Sequence, residues 1–196
     1  MKNGKTILKI IIVFTLSILF GCKENSTDST PNKLEQIYPL AINNTWVYST
    51  IVYDSVGIII NTHTDTMVIK RDTVINNEKW YSYNSLWPGY ANREDGFYSY
   101  FEFPTLEYKY PAKVGDTTVV TKYLTRKVLS TNQSISVNNI VYSAYEYYDS
   151  YSTTPTTWIS YLVPNIGPVR QDYFWVNSKS QKYLRARTDL IYYKLY

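Results

Sequence analysis

The chain has 196 residues, of which 44% are hydrophobic, 18% charged and 17% aromatic, with 22 tyrosines against 7 glycines and 8 prolines. This composition excludes a disordered chain, which would be poor in aromatic residues and rich in net charge. The formal charge of +4 includes Lys2, Lys5 and Lys9 of the N-terminal segment, so the rest of the chain is nearly neutral and indicates no nucleic-acid partner. One cysteine and one histidine exclude an intramolecular disulfide framework and multi-cysteine or multi-histidine metal sites, so we expect neither a metal nor a cofactor.

The N-terminus has the pattern of a secretory signal. Lys2, Lys5 and Lys9 precede an uncharged, almost wholly apolar run from Ile10 to Phe20. As a helix, this run would extend only ~16 Å at ~1.5 Å per residue, which is too short for a hydrocarbon core of ~30 Å. A basic region followed by a short apolar run is typical of a signal peptide, so residues 1–21 are predicted to be removed.

The end of this run, Leu19-Phe20-Gly21-Cys22, resembles a bacterial lipobox. The resemblance implies cleavage before Cys22, lipidation of its thiol by diacylglycerol, and acylation of its amine by a fatty acid such as palmitate. Several acyl chains, at ~0.8 kcal/mol for each buried CH₂, would hold the protein at a membrane without a spanning helix. The alternative is a failed signal anchor with a chance cysteine.

Residues 22–33 are predicted to be the lipidated cysteine and a flexible tether. The segment 23–32 contains no apolar side chain, so it cannot bury enough surface to order itself, and it reaches up to ~35 Å when extended. Lys23-Glu24 resembles the surface-export signals of Bacteroidetes-type lipoproteins, and position 23 is not the Asp of an inner-membrane retention signal. We therefore expect the outer membrane, with the periplasmic face and the cell surface both open.

Residues 34–196 are predicted to form one all-β domain. Val, Ile, Thr, Tyr and Trp dominate this region, and no window shows an apolar stripe at helical spacing. The predicted strands are 45–54, 65–75, 79–84, 96–103, 117–130, 134–137, 140–149, 157–163, 169–175 and 182–196. In the last of these, Leu184, Ala186, Leu190 and Tyr192 alternate with Arg185, Arg187 and Asp189, which is typical of an antiparallel sheet with one buried and one wet face.

The pairs Asn76-Asn77 and Asn138-Asn139 each separate two β-rich runs by two residues that tolerate positive φ, so each predicts a tight hairpin. No segment has the pattern of a crossover helix. The fold class predicted is therefore an antiparallel meander that forms an open or closed β-barrel-like sheet.

Similar short motifs recur at 38–45 and 110–117, at 74–81 and 136–143, and at 86–89 and 162–165. The same order in both places favours two related halves, 38–103 and 110–175. The alternative is that unrelated β-hairpins share a small vocabulary of turns.

Three motifs carry a family resemblance: the Tyr-Pro-Leu-x-x-x-Asn-x-Trp-x-Tyr opening at 38–48, Tyr-Pro-x-x-Val-Gly-Asp at 110–116, and Val-Pro-Asn-Ile-Gly-Pro-Val at 163–169. They resemble a group of uncharacterised β-rich bacterial lipoproteins of Bacteroidetes type, some described as TapB-like or as domains of unknown function. Asn43 and Asn165 stand where that group has glycine. The resemblance implies a fold and an envelope location, and it implies no activity.

The sequence predicts no catalytic residue. His63 lies in Asn-Thr-His-Thr-Asp with no Gly-x-Ser-x-Gly elbow elsewhere, and the one cysteine is expected to carry lipid. Carboxylates on separate strands can converge without any motif, so glycoside hydrolysis is left as an open alternative. A non-enzymatic protein is the preferred interpretation.

The aromatic residues are the one unusual feature. Trp46, Trp80, Trp87, Trp158 and Trp175 are the candidates for stacking on a ligand, although aromatic rings also serve β-sheets structurally. We expect a membrane-anchored domain that binds an apolar ligand or an envelope protein without catalysis. The alternatives are a surface glycan-binding accessory protein and a structural subunit of an envelope assembly.

Overall fold

The structure is a computed structural model that describes residues 35–83 and 89–196. Cys22, the predicted signal and the whole predicted tether lie outside these residues, and so does Trp87. The two described ranges contain no helix, and therefore none that is long and apolar enough to cross a membrane.

The described chain forms thirteen β-strands. They are β1 (Thr45–Tyr53), β2 (Ile59–Val68), β3 (Arg71–Ile75), β4 (Glu78–Ser82), β5 (Gly89–Arg93), β6 (Gly96–Tyr100), β7 (Pro104–Lys109), β8 (Thr117–Thr121), β9 (Leu124–Val137), β10 (Ile140–Tyr151), β11 (Thr157–Val163), β12 (Gly167–Val176) and β13 (Lys182–Lys194).

These strands build two antiparallel sheets. The larger sheet has eight strands in the order β2-β1-β13-β12-β11-β10-β9-β8, and the smaller has five in the order β3-β4-β5-β6-β7. Neighbouring strands follow one another in the chain except for β1 and β13, which pair from Thr45 with Lys194 to Val52 with Ala186. Both sheets are open. The prediction of an all-β antiparallel meander is therefore confirmed in its open form.

The predicted strand 65–75 is instead two strands in different sheets. Ile69 is fully buried between them, its N–H donates to the carbonyl of Asn44 (2.9 Å), and its carbonyl accepts from the N–H of Asn43 (2.8 Å). The next N–H, that of Lys70, donates to Ser82 of the smaller sheet (3.0 Å). The chain changes sheets here because its backbone groups find partners on both sides.

Other predicted bounds also differ from those observed. The predicted strand 117–130 is broken by a turn in which the hydroxyl of Thr121 accepts from the N–H groups of Tyr123 and Leu124 (3.2 and 3.1 Å). β9 then continues without interruption through 131–133, and the short strands β5 and β7 were not predicted.

Four asparagines adopt the left-handed conformations that their positions require. Asn76 and Asn77 have φ of 52° and 63°, and Asn138 and Asn139 have φ of 49° and 65°. Each pair joins two strands by a two-residue turn, so both predicted hairpins are confirmed.

Asn43 and Asn165, which stand where the resembled group has glycine, also have positive φ (71° and 61°). Asparagine is the residue that tolerates this region best after glycine, so these departures preserve the backbone conformation.

The alternation predicted for the last strand is interrupted by two register shifts. One lies opposite Val47/Tyr48, where Leu190 is 3% exposed and Tyr192 is 53% exposed. The other lies opposite Tyr173/Phe174. The charged face of this strand is also less exposed to solvent than predicted, because two bidentate ion pairs on it join β12 and β13. These pairs are Arg187 with Asp172 and Arg170 with Asp189.

The apolar core lies between the sheets and includes the segment that precedes β1. Tyr38 packs edge-on against the fully buried Trp46, with ring centroids 4.8 Å apart. Gly167 makes room for the Tyr38 ring, since a Cβ atom there would lie 2.4 Å from Cδ2 of the ring, and its φ of 99° also favours glycine.

A buried arginine links the two sheets on the opposite side of the core. Arg126 of β9 is 6% exposed and makes a bidentate pair with Asp149 of β10 (2.6 and 2.7 Å). Its guanidinium also donates to the carbonyl of Glu107 in β7 and lies 3.9 Å from the ring centroid of Tyr108. This buried guanidinium is tolerated because its N–H groups have hydrogen-bond acceptors and the carboxylate of Asp149 balances its charge.

We expect Asn139→Val to lower the free energy of unfolding by about 1–2 kcal/mol, because a β-branched residue resists positive φ. Ser136→Val is the control, since Ser136 is an exposed residue of β9 that pairs in register with Val141 beside the same turn, where a β-branched residue suits a strand. Thermal or urea denaturation measures both variants, and equal stability of the two would contradict the assigned turn.

Candidate ligand-binding cavity

A cavity of about 290 Å³ lies between the two sheets and opens to solvent on one side. The larger sheet contributes Tyr48, Thr50, Asp65, Met67, Gln171 and Thr188, together with Pro168. The smaller sheet contributes Tyr90, Phe97 and Tyr108. Tyr38 and Tyr83, which flank strands, complete the lining. Six of these twelve residues carry aromatic rings, so the cavity is an aromatic enclosure with a few polar groups.

Strand register places these rings on the inner faces of both sheets. Phe97 of β6 is opposite Tyr108 of β7, and the Phe97 ring stacks on that of Tyr90 at 5.3 Å with an angle of 11°. On the other side, Tyr48 and Thr50 occupy alternate positions of β1, and Thr50 meets Thr188 of β13 through a hydroxyl contact of 2.9 Å. The cavity is thus built mainly on strands, which favours a preformed site.

Most hydroxyl groups of the lining are held by hydrogen bonds. Tyr48 donates to the carbonyl of Pro168 (3.2 Å), and Tyr108 donates to the hydroxyl of Ser160 (3.4 Å). The hydroxyl oxygen of Tyr83 is buried beside the hydroxyl of Tyr38 and is covered by protein atoms, so it belongs to the packing behind the wall and not to the surface of the cavity.

The cavity is electrically simple. Burial raises the pKa of Tyr38, Tyr48, Tyr83 and Tyr108, so these phenols are neutral throughout the physiological range. Of the twelve lining residues, Asp65 alone carries a formal charge. It lies on an exposed strand, where its Oδ2 is 3.2 Å from Nε2 of His63.

His63 is 45% exposed at its side chain and stands opposite Thr50 in the β1–β2 register. This position is near the cavity opening but outside its lining. Within the described part of the chain, no three His, Cys, Asp or Glu side chains are grouped so as to hold a metal ion.

The structure brings none of the four described candidate tryptophans into the cavity lining. Trp46 is fully buried behind Tyr38, and its Nε1–H donates to the carbonyl of Ile166 (2.7 Å). Trp80 is 1% exposed and packs edge-on against Tyr100 at 5.1 Å. Both therefore support the core, and neither presents a ring face to solvent.

Trp158 and Trp175 are 36% and 40% exposed on neighbouring strands. Tyr173 lies between them, with ring centroids 4.9 Å from Trp158 and 6.2 Å from Trp175. The Nε1–H of Trp175 donates to the Tyr173 hydroxyl (2.5 Å). We call these three residues the aromatic cluster; its role in stacking stays a prediction.

The cavity rings were not singled out by sequence reasoning because tyrosine is common throughout this chain. One signal was present: Trp46, Tyr48 and Thr50 stand at alternate positions of the predicted strand 45–54, which is the spacing of one sheet face. Nothing local distinguishes a ring that fills the core from a ring that borders a cavity.

A second depression of about 500 Å³ lies between the β6–β7 connection and β8. Its walls include Phe101 and Phe103, which are 61% and 65% exposed, and the charged residues Glu102 and Lys122. Exposed side chains form most of these walls, whereas eleven of the twelve residues that line the cavity between the sheets are buried or half-buried.

No protein-family model matches the chain, and no curated protein matches its sequence. Two solved structures are similar. One is an exported protein with a YmcC-like fold from Bacteroides fragilis, with a TM-score of 0.47 and 11% identity over 82% of this chain and 100% of that chain. The other is a lipoprotein from Parabacteroides distasonis, with a TM-score of 0.42 and 12% identity over 82% of this chain and 99% of that chain. Neither description uses the TapB name, so that part of the resemblance has no support.

The neutral buried phenols predict a two-phase alkaline titration. The pKa values of these phenols in the folded state are raised above 10.0, the value expected in the unfolded chain. Their contribution to the free energy of unfolding is therefore fully present at pH values below the unfolded pKa, and it is lost as the pH rises through the folded pKa. Tyrosinate absorbance should therefore rise first for solvent-exposed rings, and again in a cooperative step that coincides with the loss of β circular dichroism. A single phase with the fold intact would contradict the buried cluster.

Proposed function

We propose that this protein is a lipid-anchored envelope protein whose β domain binds a small ligand, without catalysis, in the cavity between its sheets. The observation that carries the proposal is the aromatic lining contributed by both sheets, with the hydroxyls of Thr50 and Thr188 and the amide of Gln171 among the rings. An apolar pocket with a few placed polar groups is the usual form of a small-molecule site.

The proposed anchor is supported by the order of features along the chain. The basic residues, the apolar run to Phe20 and the lipobox-like residues before Cys22 come first, and a polar segment follows. The described domain begins at Glu35. A lipidated Cys22 would thus place the domain at the end of a short tether, with the outer membrane as the proposed location and its periplasmic or surface face undecided.

Binding is favoured over catalysis by the chemistry of the lining. General acid–base catalysis works best with groups whose pKa lies near the working pH, whereas burial moves the phenol pKa values of this cavity away from neutrality. Such hydroxyls orient a ligand by hydrogen bonding and exchange protons poorly.

Glycan binding is a second candidate function, favoured by the aromatic cluster of Trp158, Tyr173 and Trp175. Partly exposed rings on adjacent strands are suited to stacking against the apolar faces of sugar rings. The third reading, a structural assembly subunit, is favoured by the β1–β2 hairpin, where Val56, Ile58, Ile59 and Ile60 are all more than half exposed.

Cys22→Ser in the full-length chain should move the protein from the membrane pellet to the soluble fraction of its bacterial host, because a serine cannot carry thioether-linked diacylglycerol. Ser26→Ala in the polar segment is the matched control and should leave the protein in the pellet. Membrane retention of the Cys22→Ser variant would refute the anchor, and the intact mass of the native N-terminus tests the acyl groups directly.

Thr188→Phe should fill the cavity and weaken binding of the neutral fluorescent probe N-phenylnaphthylamine by about tenfold, since a ring added at β13 occupies probe volume. Thr66→Phe is the matched control, because Thr66 lies on β2 between the lining residues Asp65 and Met67 and faces away from the cavity.

A third variant separates the two candidate sites. Trp158→Ala combined with Trp175→Ala should leave probe binding unchanged. If this double variant abolishes binding of the probe while Thr188→Phe does not, the aromatic cluster is the site and the cavity is excluded.

A further inference from the structure

The charges of the cavity lining indicate which ligands it can accept. The lining includes the carboxylate of Asp65 and no lysine, arginine or histidine side chain. The nearest buried cation described here is Arg126, which contacts the Tyr108 ring from outside the lining and is matched by Asp149 and Glu107. An anionic ligand would therefore enter a site that already has an excess of negative charge.

The rings supply an attraction of their own. The faces of Tyr and Phe rings carry negative electrostatic potential, which attracts cations within about 6 Å of the ring centroid. Six such rings border this cavity. One of them, Tyr108, already has the guanidinium of Arg126 at 3.9 Å from its ring centroid, which leaves five rings for the cation of a ligand.

The aromatic character of the lining selects among cations. A primary ammonium or a guanidinium needs several acceptors to replace the water that it loses, whereas half of the lining residues are aromatic rings. A quaternary ammonium has no N–H group to satisfy, and cavities lined by aromatic rings are its usual sites in proteins.

We propose that the cavity recognises a quaternary ammonium compound, with the methylated nitrogen among the tyrosine and phenylalanine rings and Asp65 on the open side. This inference rests on the proposed function, since it names the ligand class of the same cavity. Choline is the smallest suitable probe because it joins a trimethylammonium group to one hydroxyl.

The test compares choline with 3,3-dimethylbutan-1-ol, which has the same shape and hydroxyl but no charge. Titration calorimetry on the detergent-solubilised full chain should show choline binding at least about tenfold tighter than the neutral isostere. Equal affinities, or tighter binding of the isostere, would overturn the cation proposal while leaving a cavity that binds small ligands.

Two pairs of variants identify the groups responsible. Asp65→Asn should weaken choline several-fold without affecting the isostere, whereas Asp72→Asn, which removes a surface carboxylate paired with Lys79, should affect neither ligand. Tyr90→Leu should weaken choline and Tyr90→Phe should restore it, because the ring and not the hydroxyl is required.

The probe N-phenylnaphthylamine distinguishes a wrong ligand class from a wrong function. If the probe binds, Thr188→Phe weakens its binding, and choline does not bind, the ligand class alone is overturned. Absence of binding for the probe, choline and the isostere in a folded protein overturns both the ligand class and the proposed function.

Discussion

The side chain of Asn44 is the constraint on which the rest of the structure depends. It is 1% exposed, its Nδ2 donates to the carbonyl of Pro39 (3.1 Å), and its Oδ1 accepts from the N–H of Tyr196 (2.8 Å). Its own carbonyl accepts from Ile69, where the chain passes from one sheet to the other. One buried asparagine thus joins the segment before β1, residue Tyr196 and the crossing between sheets. An apolar residue here would remove the partners of the Pro39 carbonyl and the Tyr196 N–H, at up to ~1–3 kcal/mol for each group that stays away from water.

The cavity exists because the two sheets are held together at separated points. On one side the segment before β1 inserts Tyr38 between them, and on the other Arg126 joins β9 and β10 to β7. Between these points the inner faces are lined by rings that do not fill the intervening volume. Rigid walls of this kind limit the cost of ordering a site on binding, since the lining hydroxyls are largely oriented before a ligand arrives.

The tight turns and the strand content could be predicted from the sequence, because both depend on residues that are close together in the chain. The paired asparagines specify tight turns because few residues accept positive φ, and the β-rich composition specifies strands. The exchange of sheets at Ile69 was not predictable, because no turn residue separates the two strands and only distant hydrogen-bond partners divide them. The site was missed for a related reason: Trp46 and Trp80 stand out in composition but are buried, whereas the cavity is lined by ordinary tyrosines placed by tertiary contacts. The register shifts of β13 likewise depend on its neighbours.

The pairing of β1 with β13 has a consequence for how the domain folds. The strand β1 finds one of its two neighbours only in β13, from Thr45 with Lys194 onward, so the larger sheet cannot close this hydrogen-bond ladder by local hairpin formation. Contacts of such high sequence separation carry a large loop-closure entropy and slow the folding reaction. The smaller sheet has no such delay, because each of its strands pairs with its neighbour in the chain.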